Sequence, residues 1–314
     1  MSETRPSTEA APGWRFADWD QDVISTWSDF QEAAYRLSEN YRGSRLVWRG
    51  VRNADWGVHS SLYRRLSDVL GYRPTETEMV DAEKEILRRA RQDWRFDGVD
   101  ALELFAQIQH FGGPTRLIDV SEDPLAALWF AVEAGKGTEP TDTDGRLFAF
   151  VAPVKSDLHL NRNWKTRDAL WHELTTDDRR ATKRWGTGTN RRYWRPPVYH
   201  SRIAAQNAGF LLDGVPLDAG ARNKFGRVHP GTSETWTLND MQQAASIPLR
   251  LSTSRQGTMS EDANPVFTFR VLETAKEEIR RQLEERFAVR ASSIYPDMFG
   301  LAKYLDERAE TLLA

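Results

Sequence analysis

Cysteine is absent from this chain of 314 residues, which excludes a disulfide framework, Cys-ligated zinc, iron–sulfur clusters and a thiol nucleophile. No apolar run reaches the roughly 18 residues that a membrane-spanning helix needs, so no membrane partner is expected. Neither sign of charge dominates: 43 basic against 46 acidic side chains leave a formal net charge of −3. That balance argues against an all-over nucleic-acid coat and still permits a local basic patch. The Gly-x-x-x-x-Gly-Lys-Ser/Thr loop, the Gly-x-Ser-x-Gly elbow and the His-Glu-x-x-His pair are all missing. His172-Glu173 lacks the second histidine, and the histidines show no ligand spacing, so no metal is expected. Residues 1–13 are polar and do not resemble a signal peptide. They are expected to form a disordered tail, with 14–314 as a single domain of a cytoplasmic protein.

What is present is a hydrophobic content of 39%, enough for an ordinary core, and twelve tryptophans. Positional signals are densest from Gln109 to Glu133. An apolar-faced helix runs into Gly112-Gly113, and Pro114 forbids its continuation. Thr115 to Val120 reads as a short strand. Ser121-Glu122-Asp123 supplies a turn and an N-cap, and Pro124 opens a helix with one buried face. A strand feeding a capped helix leaves backbone N–H groups suited to an anionic ligand.

Elsewhere, Thr26 and Thr75 each precede an acid three residues on, the capping-box pattern, at the heads of amphipathic stretches. Strands are expected at 22–26, 45–50, 145–152, 209–212, 248–252 and 265–271, with Arg49 sharing a face with Val47. Further helices are expected at 98–111, 238–245, 273–287 and 297–313. Helices and strands mix without strict alternation, which indicates an α+β fold.

Segment 161–202 holds eleven basic residues against four acidic ones, interleaved with Trp164, Trp171, Trp185, Tyr193, Trp194 and Tyr199. It belongs to an irregular basic, tryptophan-rich insertion spanning about 155–202. Cations that track a phosphate backbone beside aromatics that stack on bases suit single-stranded nucleic acid. Arg184, Trp185, Arg191, Arg192, Trp194 and Arg202 are the candidate contacts. The competing reading is a solvated loop whose tryptophans pack on the body. Ser252-Thr253-Ser254 follows a possible strand, but hydroxyl-rich strand ends are common and it carries no site.

Trp48-Arg49-Gly50, the Gln109–Glu133 stretch, Arg202-Ile203-x-x-Gln206 with Gly209-Phe210, and Ile294-Tyr295-Pro296-Asp297 together resemble the FRG domain family. The aromatic-Arg-Gly motif gives that family its name, and Gln109 to Asp119, QHFGGPTRLID, matches its central signature. The resemblance spans about Val23 to Leu305. It implies an arrangement like the ADP-ribosyltransferase fold, a split β-sheet flanked by helices. It also implies an NAD-consuming transferase acting on nucleic acid, RNA foremost, as a toxin of bacterial anti-phage defence. An antitoxin or a phage-derived trigger would be a partner.

On that implication Arg49 anchors the NAD phosphates, Thr115, Arg116 and Ser121 complete the cofactor site, and Asp119, Ser121 and Gln206 serve the chemistry. Arg49 is otherwise a buried ion pair with Asp119 or Glu85. Asp119 otherwise pairs Arg116 and holds the turn. His110 is either a base or a structural hydrogen-bonder. Such transferases place a glutamate where this chain has Gln206, so the acid would come from elsewhere, with Glu122 and Glu173 as candidates. The alternatives are a non-catalytic nucleic-acid-binding or sensor module and a metal-dependent nuclease.

Overall fold

The computed structural model describes residues 16, 19–134, 143–152, 166–186, 192–212, 214–217, 237–252 and 264–307. The expected tail at 1–13 lies outside these residues, as do Arg162, Trp164, Lys165, Arg191, Thr253 and Ser254. Within them the chain forms one eight-stranded mixed sheet with helices packed against it, an α+β architecture. In chain order the strands are β1 (Asp20–Ile24), β2 (Arg45–Val51), β3 (Ile118–Ser121), β4 (Gly145–Ala152), β5 (Arg192–Trp194), β6 (Ala208–Leu212), β7 (Arg250–Leu251) and β8 (Pro265–Val271). Their order across the sheet is β1-β8-β4-β2-β3-β6-β5, with β7 also on β8. β1 and β7 run parallel to β8, and every other pair is antiparallel.

β4 is central and buried throughout because both of its faces are covered; its one charged residue, Arg146, pairs with Asp20. Phe148 and Phe150 pack on one side with Val47, Ile118 and Leu211. Leu147, Ala149 and Val151 pack on the other with helices α1 (Trp27–Asn40), α5 (Pro124–Val132) and α9 (Lys276–Phe287). Each fully buried ring of this kind contributes roughly 1.5–3 kcal/mol.

The remaining helices are α2 (Ser61–Leu70), α3 (Glu76–Gln92), α4 (Ala101–His110), α6 (Asp177–Thr182), α7 (Ser201–Ala205), α8 (Leu238–Ala244), α10 (Ala291–Ile294) and α11 (Met298–Glu307). The capping boxes at Thr26 and Thr75 are both formed. Several elements depart from expectation, among them strand β5 and helix α6, which lie in the segment read as irregular. Residues 61–70 form a helix, with Ser60 capping its start and Gly71 in a left-handed conformation at its end. The strand after Gly112 begins at Ile118 instead of Thr115, because Thr115 spends its polar groups on side-chain partners. The strand expected over 248–252 is reduced to Arg250–Leu251.

Two features of this framework place a cleft. β2 pairs with β4 along its whole length but meets β3 at one residue pair, Trp48 opposite Ser121. Helix α5 also lies directly on β2: a Cβ added at Gly50 would stand 1.8 Å from the Ala127 carbonyl oxygen. One added at Gly145 would stand 2.2 Å from that of Ala131. The glycine of the Trp48-Arg49-Gly50 motif is therefore a seat for a helix backbone.

Candidate functional site

A cavity of about 300 Å³ opens where β2 and β3 part. That is at the lower end of the size range of small-molecule sites. Trp48, Arg49 and Gly50 form one wall, and Asp119, Val120 and Ser121 another. Gln109 and His110 come from the end of α4, and Ala127 and Phe130 from α5. Tyr199, Arg202, Ile203, Gln206, Ala208 and Phe210 close the remaining side. Arg49, Asp119, Ser121, Gln206 and Arg202, separated widely in sequence, thus converge on one space.

Arg49 spans the gap between the strands. Its Nη1 donates to the Asp119 carbonyl oxygen at 2.7 Å and lies 3.9 Å from the Asp119 carboxylate. Its Nε is buried and has no hydrogen-bond partner among the described residues. Burial lowers its proton affinity; the Asp119 charge opposes this and Arg64 adds to it. A guanidinium stays protonated through such a shift. Of the two partners expected from sequence, Asp119 is present, whereas Glu85 is turned to Arg88 and Arg89.

Asp119 does not pair with Arg116. Its side chain is 59% exposed and accepts from Gln109 Nε2 at 2.8 Å. Gln109 Oε1 in turn accepts from Thr115 Oγ1 at 2.7 Å and from Ser61 Oγ at 3.0 Å. The Gln-x-x-x-x-x-Thr spacing of the signature is thereby explained. Gly112, at φ 80°, turns the chain back so that Thr115 reaches the helix end it has just left. The Tyr199 hydroxyl, on the cavity wall, is buried without a partner among the described residues. Burial, reinforced by the negative charges of Glu103 and Asp119, pushes its pKa up.

Several expected contributors lie elsewhere or are already committed. Arg116 is 5% exposed and sits behind the cavity. It donates to Glu83 through Nε and Nη2 and to Glu76 and the Gly214 carbonyl through Nη1, all at 2.7–3.1 Å. Trp171 Nε1 donates to the same Glu83, and the Arg116 guanidinium lies over the Trp171 and Trp185 rings. Its fork is fully spent, so it holds the fold together and is not available to a cofactor. Thr115 is likewise fully buried.

Ser121 borders the cavity, but its hydroxyl donates to the Gln206 carbonyl at 2.6 Å and accepts from Asp123 N at 2.9 Å. The expected anion cradle at the start of α5 is closed as well. Asp123 itself takes the Leu125 N–H, placing a carboxylate where the anion would sit. The Gln206 side chain donates to the Ile294 carbonyl. Glu122 pairs with Arg45 and Arg195, so Asp119 is the one carboxylate on the cavity wall among the described residues.

The aromatic half of the nucleic-acid reading is corrected. Trp185 and Trp194 are 3% and 7% exposed, inside a core with Leu104, Phe105 and Phe210. Trp171 stacks on Trp185 with an interplanar angle of 5°. Arg192 covers Trp185 from outside and donates to the carbonyls of Lys183 and Arg184. These rings have no free face for a base. Arg184 keeps an exposed position, Arg191 is outside the described residues, and Arg202 forks onto Asp297 at 2.9–3.0 Å.

One grouping was not foreseen. His110 and His200 lie with ring centroids 4.1 Å apart, and Asp297 is 3.8 Å from His200 Nδ1. Burial, with the positive charges of His200 and Arg202, pushes the His110 pKa down to about 4, against the pull of Asp297.

The family model of the FRG domain matches residues 44–139, from the start of β2 past the end of α5. The chain carries an FRG domain. The matched segment supplies Arg49, Gln109, His110 and Asp119 to the cavity, and Tyr199, Arg202 and Gln206 come from beyond it. No curated protein and no solved structure matches the chain. None of the described helices is long and apolar enough to cross a membrane.

Proposed function

We propose that the cleft between β2 and β3 is the site of an NAD-consuming ADP-ribosyltransferase. The observation that carries this reading is Arg49: a cation held where β2 and β3 part, its Nε–H without a partner among the described residues, beside the exposed Asp119 carboxylate. The resemblance implies a split sheet; here β2 and β3 stay neighbours in one continuous sheet and share a single residue pair. In the proposed mechanism the guanidinium binds the pyrophosphate of NAD through charge-assisted contacts. The apolar wall of Trp48, Ala127, Phe130 and Phe210 receives the nicotinamide ring. Asp119 stabilises the positive charge that develops on the ribose as the bond to nicotinamide breaks.

With Glu122 engaged by two arginines, Asp119 takes the part first sought in a glutamate. On this reading the nicotinamide-ribosyl end would occupy the cavity and the adenosine end would extend over its rim. The acceptor is read as nucleic acid, RNA foremost, on the exposed cations Lys183, Arg184 and Arg195. The toxin setting belongs to the same proposal.

The test is incubation with labelled NAD and separate RNA, DNA and protein fractions. Label is expected in the RNA fraction, with loss of transfer in Arg49→Ala and Asp119→Asn. No label transfer and no nicotinamide release with any fraction would sink the reading.

A further inference from the structure

We infer that His110, His200 and Asp297 form a site for a divalent transition ion of the zinc class at the rim of the cavity. Three parts of the fold meet there: the last residue of α4, the residue capping α7, and the turn that leads into α11. One ligand atom from each of the three side chains lies within 4.8 Å of the others. A tetrahedral ion with bonds of roughly 2.0–2.1 Å needs its ligands about 3.3 Å apart, so the side chains close by about 1.5 Å at most. The His200 Nδ1–Asp297 separation is 3.8 Å; that nitrogen accepts the Arg202 N–H at a long 3.4 Å, so an ion bound at Nδ1 displaces this cap.

The surroundings are those of a ligand set. The carboxylate is oriented from behind by the Arg202 fork and by the Gly300 N–H, which donates to Oδ1 at 2.6 Å. Burial alone would raise the Asp297 carboxyl, but the Gly300 N–H and Arg202 hold it below its usual range. The His110 ring makes no hydrogen bond to any described residue and faces the cavity.

The donor set also chooses the ion. Arg202 places a positive charge beside the site, so an ion held mainly by charge, such as Mg²⁺ or Ca²⁺, gains little there. Two imidazoles favour zinc and its neighbours. Three protein ligands leave a fourth position open, directed to water or to a phosphoryl or carbonyl oxygen of a ligand in the cavity. The inference stands apart from the transferase reading: the site binds its ion whether or not NAD is consumed.

The test uses the full chain, stripped of metal and titrated with Zn²⁺ alone, and with Co²⁺ as a visible probe. One equivalent is expected to bind, with a tetrahedral Co²⁺ absorption band that Zn²⁺ abolishes and excess Mg²⁺ leaves unchanged. His110→Gln and His200→Gln should each weaken binding at least tenfold while the circular dichroism of the metal-free protein stays the same. X-ray absorption of the zinc-loaded wild type needs no variant, and two imidazoles are expected in the shell. Absence of stoichiometric binding, binding unchanged in both variants, or a shell without imidazole would each overturn the inference.

Discussion

The FRG motifs contain two arginines, Arg49 within β2 and Arg116 just ahead of β3, and the structure treats them in opposite ways. Arg116 is enclosed by two glutamates, a carbonyl and two indole rings, with every donor direction used. Among the described residues, Arg49 has one firm hydrogen bond, a carboxylate at the margin of contact and a buried Nε without a partner. Both are charged and partly or wholly desolvated, so burial does not separate them. What separates them is residual capacity: a satisfied guanidinium stabilises the fold, and an under-used one at a cavity wall is available to a ligand.

The comparison can be broken most sharply at Glu83. Glu83→Ala leaves Arg116 with Glu76 and the Gly214 carbonyl and strips Nε and Nη2 of their partner, and loss of about 3–5 kcal/mol is expected, read as a lowered urea midpoint and melting temperature. A small change there would mean that Arg116 is not the structural member of the pair. Arg49→Ala should do the reverse. Turnover of NAD should fall at least 10²-fold, about 2.7 kcal/mol of transition-state stabilisation, while the melting temperature shifts little. Matched losses of stability in the two variants would erase the distinction.

Gly50→Ala tests the framework between them. The new methyl meets the Ala127 carbonyl, which belongs to a helix backbone and cannot rotate away, so a cost of about 1–3 kcal/mol is expected. Gly98→Ala, whose Cβ would meet nothing within 4 Å, is the near-neutral control.

The smallest effect concerns pH. The His110 pKa of about 4 lies below its ordinary value of 6.5, so the folded state resists protonation. In metal-free protein the stability from this group is complete above about pH 6.5 and declines as pH falls towards 4. Because the ring is partly solvated, the loss is about 1 kcal/mol. His110→Gln should flatten the urea midpoint across that window, and an unchanged slope would assign it to other groups.

Much of the framework was legible because it is written locally. The end of α4 at Gly112-Gly113-Pro114, the Pro124 start of α5, the two capping boxes and the apolar run of β4 depend on neighbours a few residues away. Helix α2 was hidden by its polar exposed face, although Ser60 and Gly71 mark both of its ends. The site was legible in part. Arg49 and Asp119 share one cavity, but the partners that decide which arginine is free are Glu76 and Glu83, on a helix well upstream of Arg116. Periodicity carries no information about such pairing. The tryptophans of 171–194 misled for a related reason: cations around an aromatic look the same in sequence whether the ring faces solvent or the core. His110, His200 and Asp297 follow no spacing rule, since their proximity is created wholly by the tertiary fold.

The Arg49–Asp119 bond has a mechanical consequence. Past Trp48 and Ser121 the ladder between β2 and β3 has no further rung, and this side chain supplies one by gripping a main-chain carbonyl across the gap. On the proposed function, an anion that draws the guanidinium away would take that rung with it. β2 and β3 are thus joined here by one main-chain pair, Trp48–Ser121, and one side-chain contact, Arg49–Asp119.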